Sequence, residues 1–131
     1  KYPPKPGTFS EEDCLKFKFE MNGKAVFKLA SEVMKKDVQE LLTKCDISIE
    51  QLKLIVPHQA SKSGMRLIQK KLSVSPDQWM DIIETHGNMV SVSIPLALSY
   101  AIENKRVTKG DLVMLLATSA GFATGVMIIK I

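Results

Sequence analysis

Leu52-Lys53-Leu54-Ile55-Val56-Pro57-His58-Gln59-Ala60-Ser61 is the stretch on which the fold turns. Leu52 to Pro57 contains an apolar, β-rich stretch closed by a proline, which suits the end of a buried strand. Ser61 can cap a helix that runs to about Leu72 with Met65, Ile68 and Leu72 facing inward. A buried strand that passes directly into a capped helix is the first part of a βαβ crossover, and so predicts a parallel neighbour further along the chain.

Upstream, Phe17-Lys18-Phe19-Glu20-Met21 alternates with period two and reads as a short strand. Asn22-Gly23 stops it and can start a helix. From Lys24 to Lys44, Val26, Phe27, Ala30, Val33, Met34, Val38, Leu41 and Leu42 recur at three- and four-residue steps. This spacing predicts a long amphipathic helix with Lys35, Lys36, Gln39 and Glu40 outside, followed by a turn or helical stub at Ser48 to Gln51. Downstream of Ser75-Pro76, Trp79 to Glu84 reads as a second core strand, ended by Thr85-His86-Gly87-Asn88. A third helix is expected over Val92 to Asn104, with Pro95 tolerated only in its first turn. After a turn at Lys109-Gly110, Asp111 to Thr118 and Thr124 to Ile131 form two apolar strands joined by Ser119-Ala120-Gly121-Phe122-Ala123. Strand, helix, strand, helix, strand describes two crossovers, and the last two strands are close enough for a hairpin. The expected class is α/β, a mixed sheet with a parallel βαβαβ core, a C-terminal antiparallel hairpin and helices on its faces.

The chain of 131 residues has the size of one domain, and at 45% apolar and 24% charged residues it can bury a core. Residues 17–131 are expected to form that domain, behind a Pro-rich linker over 1–16. The opening at Lys1 without an initiator Met suggests a piece of something longer. No apolar run approaches the roughly 18 residues of a membrane span, and no signal peptide is recognisable. Cys14 and Cys45 are too few for a disulfide framework and lack metal-ligand spacing, so both read as bystander thiols in a cytoplasmic protein. Aromatic content of 6% gives no stacking platform for nucleic acid. Neither a Gly-x-Ser-x-Gly elbow nor a phosphate-binding glycine loop occurs. The net charge is only +4, yet Gln51 to Pro76 contains Lys53, Lys62, Arg66, Lys70 and Lys71 and no acid. Such a face is either plain solvated surface or a docking site for an anionic partner.

In an open parallel sheet, ligands bind beyond the carboxyl ends of the strands. Three loops should emerge there: His58-Gln59-Ala60-Ser61, Gly87-Asn88 and Ser119-Ala120-Gly121-Phe122. They bring an imidazole, a carboxamide and a backbone turn together. His58 can be a packing residue or a functional one, and Gly87-Asn88 can be an ordinary turn pair. His86 reads as an exposed loop residue, and two histidines without clustered acids make no metal site.

Taken together, these segments resemble the 3-oxoacyl-carrier-protein synthase III family. Val56-Pro57-His58-Gln59-Ala60 resembles its His-Gln-Ala signature. Gly87-Asn88 with Ser93-Ile94-Pro95-Leu96-Ala97-Leu98 resembles its Gly-Asn segment, and Gly121-Phe122-Ala123-Thr124-Gly125 its closing hairpin. Met21 to Lys28 is similar to the segment that opens the family's C-terminal half, and His58 and Asn88 stand 30 positions apart, a separation that fits the family. The resemblance implies a thiolase fold of two similar halves, of which this chain is the C-terminal one.

It further implies that a cysteine in the N-terminal half takes an acyl group from acyl-CoA. His58 and Asn88 would then hydrogen-bond the thioester carbonyl of malonyl-carrier protein as carbon dioxide leaves. By register, the Ala120 N–H would serve a second oxyanion hole. Lys62, Arg66, Lys70 and Lys71 would face the acyl carrier protein or CoA phosphates. The implied enzyme works without a cofactor on CoA and carrier-protein thioesters, as a homodimer when full length. Ser61 stands where the family has Asn, and Ser119-Ala120 where it prefers glycines, so primers longer than acetyl stay open. Two other readings remain: a non-catalytic module binding CoA or carrier protein, and another thiolase-fold synthase of the hydroxymethylglutaryl-CoA or chalcone type. A true thiolase would need a second cysteine near the C-terminus, and none follows Cys45.

Overall fold

The structure is a computed structural model and describes residues 7, 10, 22–119 and 122–131. The strand expected at Phe17 to Met21, Cys14 and most of the 1–16 linker lie outside the described residues.

Asn22 opens the long helix α1 (Gly23–Cys45), its side-chain oxygen accepting from the Ala25 N–H at 3.1 Å. Ala30, Met34 and Val38, one turn apart, form its buried stripe, while Lys35, Lys36, Gln39 and Glu40 point to water. Asp46, in the left-handed region at φ 53°, ends it. A 3₁₀ turn (Ile49–Gln51) leads into β1 (Leu54–Pro57), all four of whose residues are buried. Helix α2 (Lys62–Lys71) starts at Ser61, whose hydroxyl accepts from the Gly64 N–H at 3.2 Å.

β2 (Leu112–Ser119) pairs parallel with β1, Leu54 opposite Val113 and Pro57 opposite Leu116. β3 (Ala123–Lys130) returns antiparallel to β2, from Leu112 opposite Lys130 to Ser119 opposite Ala123. The class is the expected mixed α/β sheet. Strand alternation divides the core in two. Ile55, Met114 and Leu116 join Met34, Val38, Met65 and Trp79 on the side of α1 and α2. Leu54, Val56 and Val113 join Ala97, Ala101 and Val107 on the other side, under helix α4 (Ser93–Glu103). Pro95 is the third residue of α4, in its first turn as required. Fully burying one such aliphatic side chain contributes about 1.5–3 kcal/mol, so both faces are stabilised by their covering helices.

One expectation is corrected. Trp79 to Glu84 is not a regular strand: Trp79 makes a single parallel bridge to Ile55, and Met80 N–H donates to the Ile55 carbonyl at 2.9 Å. Two side chains then take over the backbone groups. The Gln59 carboxamide donates to Met80 O (3.2 Å) and accepts from Ile82 N–H (3.0 Å), and Asp81 accepts from Ile83 N–H (3.2 Å). The chain turns into the one-turn helix α3 (Ile83–His86) instead of extending.

Candidate active site

Parallel pairing puts the carboxyl ends of β1 and β2 on one edge; His58 follows β1 directly, and Asn88 follows the one-turn helix α3. The ladder closes with the His58 N–H donating to Leu116 O at 2.7 Å. Ala60 N–H then donates to His58 O at 2.8 Å, a tight turn that carries the chain to the Ser61 cap. The His58 ring is half-buried and makes no hydrogen bond among the described residues. Burial holds its pKa below the usual 6.5, because desolvation disfavours the imidazolium. The ring is therefore neutral near pH 7, with one N–H donor and one lone pair.

Gln59 is fully buried. Its Nε2 donates to Pro57 O at 2.9 Å as well as to Met80 O, and its Oε1 accepts from Ile82 N–H. All three partners are backbone groups, and those of Met80 and Ile82 lie outside the regular strands.

Gly87 sits at φ 68° and ψ −165°, a region that is essentially confined to glycine, and it redirects the chain after α3. Asn88 follows with both ends of its amide engaged. Oδ1 accepts from Val90 N–H at 2.9 Å, and Nδ2 donates to Ala60 O at 3.3 Å. The Val90 donor fixes which end of the amide is oxygen, since only the NH2 end can face a carbonyl. One of the two amide hydrogens remains for another acceptor. Val90, branched at Cβ, holds φ 52° for this contact, a conformation that costs about 1–3 kcal/mol. Met89 N–H donates to the buried Ser93 hydroxyl at 3.1 Å, which anchors the loop to α4.

The two loops are thus joined directly, through Asn88 and Ala60. The third is described only up to Ser119 and again from Phe122, so the Ala120 N–H lies outside the described residues. His86 is exposed as expected, but it ends the one-turn helix α3 instead of lying in a loop, 2.8 Å from the Thr85 hydroxyl and edge-on to Tyr100. Cys45 is exposed and free. Among the described residues, no three His, Cys, Asp or Glu side chains come together to hold a metal ion, and no helix is long and apolar enough to cross a membrane.

The four cations of α2 do not behave alike. Lys62 is ion-paired with Glu84, and Lys71 Nζ donates to the Ser31 hydroxyl of α1 at 2.9 Å. Arg66 and Lys70 are exposed, four residues apart on one stripe with Lys62. A separate cleft of about 580 Å³ opens at the amino ends of β1 and β2, lined by Glu50, Lys53, Asp77, Arg106 and Asp111 among others. Arg106 there braces the fold, donating to Asp77 O at 2.8 Å.

Helices on both faces of a mixed sheet, a parallel pair followed by an antiparallel return, define the C-terminal half of a thiolase-like fold. The family follows from comparison with known proteins. Residues 42–131 match 3-oxoacyl-[acyl-carrier-protein (ACP)] synthase III C terminal, and the chain belongs to that family. The chain is 35% identical over 117 residues to beta-ketoacyl-[acyl-carrier-protein] synthase III of Campylobacter jejuni, covering 89% of this chain and 36% of that protein. It is 39% identical over 110 residues to the Bartonella henselae protein of the same name, covering 84% and 34%. Among solved structures it is similar to 3-oxoacyl-[acyl-carrier-protein] synthase III from Aquifex aeolicus, with a TM-score of 0.82 and 30% identity over 86% of this chain and 36% of that one. The synthase III of Thermus thermophilus gives 0.81 and 31%, over 86% and 35%. The chain spans about a third of the length of the relatives it matches.

Gln59 is the residue whose part the pattern along the chain did not disclose. Its parity with Ile55 and Pro57 is the available signal, since a carboxamide placed inward beyond a buried strand must find partners.

Proposed function

We propose that this chain supplies the charge-stabilising part of a decarboxylating condensing enzyme that joins an acyl primer to malonyl-carrier protein in fatty acid or related biosynthesis. The observation that carries this reading is the Asn88 Nδ2–Ala60 O bond, which joins the carboxamide loop to the loop of a neutral, half-buried imidazole. The thioester carbonyl oxygen of the malonyl group sits between the His58 N–H and the remaining Asn88 amide hydrogen. When the bond to the carboxylate breaks, its electron pair moves into the enolate and negative charge builds on that oxygen. Donors already in position stabilise this charge more than they stabilise the ground-state carbonyl, and so lower the barrier. The enolate carbon then attacks the thioester carbonyl of an acylated cysteine, which is assigned to the N-terminal half of the enzyme, and collapse of the tetrahedral intermediate breaks the C–S bond and expels the cysteine thiolate. The Ala120 N–H is assigned to the oxyanion of that second step.

No cofactor enters the scheme. Acyl-CoA brings the primer, acyl carrier protein brings the extender, and the full-length enzyme acts as a cytoplasmic homodimer. Arg66 and Lys70, with Lys62 and Lys71 beside them, form the face for the acidic carrier protein. His58→Ala in the full-length enzyme should slow decarboxylation of malonyl-carrier protein by roughly 10²- to 10³-fold, the usual cost of one oxyanion donor. Decarboxylation at the unmodified rate would overturn the assignment, and binding of carrier protein with no decarboxylation at all would favour a binding module.

A further inference from the structure

We propose that Gln59 is a positioning residue for the His58–Asn88 pair, a role that rests on the function proposed above. Three features point to it. The side chain is fully buried, so its amide would carry an uncompensated desolvation cost if left unpaired. Its three partners are all backbone groups: Pro57 O at 2.9 Å, Met80 O at 3.2 Å and Ile82 N–H at 3.0 Å. Those partners lie on both sides of the site. Pro57 immediately precedes His58, whereas Met80 and Ile82 belong to the segment that runs through α3 to Gly87 and Asn88.

Gln59 therefore fixes the spacing between the two loops from beneath, as the Asn88–Ala60 bond does from the surface. The surface bond has an exposed donor for which water competes, whereas the Gln59 contacts are fully buried. No ordinary substitution reproduces it. Asn retains donor and acceptor but is one methylene short of spanning both loops. Met fills a similar volume and makes none of the three bonds. Glu in its ionised form would turn an acceptor toward two carbonyls.

The consequence is specific to one chemical step. Displacing two donors by a fraction of an ångström weakens their hold on a developing oxyanion, and misplacement of about 1 Å costs on the order of 100-fold. Acyl transfer to the cysteine, assigned to the other half of the enzyme, does not depend on that spacing. The test uses the full-length enzyme with Gln59→Met and Gln59→Asn, each assayed for decarboxylation of malonyl-carrier protein and separately for self-acylation by acyl-CoA. His58→Ala is run beside them. The expected result is a roughly 10- to 100-fold loss of decarboxylation kcat in both Gln59 variants, with self-acylation within about twofold of the parent. Unfolding of both variants, parallel loss of both half-reactions, or unchanged decarboxylation each overturns the positioning role. His58→Ala keeps the levels of inference apart: if it decarboxylates normally, the proposed function fails first, whatever Gln59 does.

Discussion

At the scale of single residues, the site depends on protonation state and amide orientation. Burial lowers the His58 pKa below 6.5, so between that depressed value and 6.5 the unfolded chain binds more protons than the folded one. The stability this residue contributes is complete above about 6.5 and is lost as pH falls through the folded value. Activity should follow the same direction, since imidazolium formation would add a buried cation to a site arranged for a neutral donor. The acid limb of the decarboxylation pH profile is therefore expected below 6.5, and His58→Gln, a donor that does not titrate, should remove that limb. An acid limb that survives in His58→Gln would assign it to another group. That the loops of His58 and Asn88 lie together was legible in the sequence, although Asn88 follows the one-turn helix α3 and not the parallel strand from which its place was argued. The partners of Asn88 were not, since Ala60 and Val90 meet it through backbone groups that leave no mark in residue type.

Among the elements, the helices follow from their own periodicity and caps. The Ser61 hydroxyl makes an N-cap contact that an Asn side chain at this position could also make. Ser61→Asn is accordingly expected within a few tenths of a kcal/mol of the parent in urea denaturation, while Ser61→Ala should lose about 1 kcal/mol. A larger loss in Ser61→Asn would mean that the hydroxyl serves something besides the cap. The segment after Ser75 shows where periodicity stops being informative. Trp79, Met80 and Ile82 are as buried as strand residues, yet the ladder ends after one bridge. The deciding groups, Gln59 and Asp81, act through side-chain hydrogen bonds to the backbone, and Gln59 reaches across more than twenty residues of sequence. Alternation of apolar residues reports burial on two faces; it does not report who satisfies the backbone between them.

For the whole molecule, the two core clusters hold the sheet between its covering helices, and the surface charge is the feature that the proposed function uses for access. The acid-free run from Gln51 to Pro76 was visible in composition, but its division was not. Lys71 finds Ser31 forty residues away, and Lys62 meets Glu84. That leaves Arg66 and Lys70 as the cations free of such contacts on this helix among the described residues. In the full-length enzyme, Arg66→Glu with Lys70→Glu should raise KM for malonyl-carrier protein by about tenfold at low salt with kcat little changed, because rim charges steer encounter more than they alter chemistry. The difference should shrink as ionic strength rises and the Debye length falls to about 8 Å. Equal KM values at all salt concentrations would remove the carrier protein from this face.

The carboxamide of Gln59 has one more consequence. The Ile82 amide hydrogen lies outside every strand, yet its acceptor is an oxygen on a fully buried side chain. It cannot exchange with solvent without an opening that also frees the end of β1, so the stretch between the two site loops opens on the timescale of the core and not on that of a surface loop.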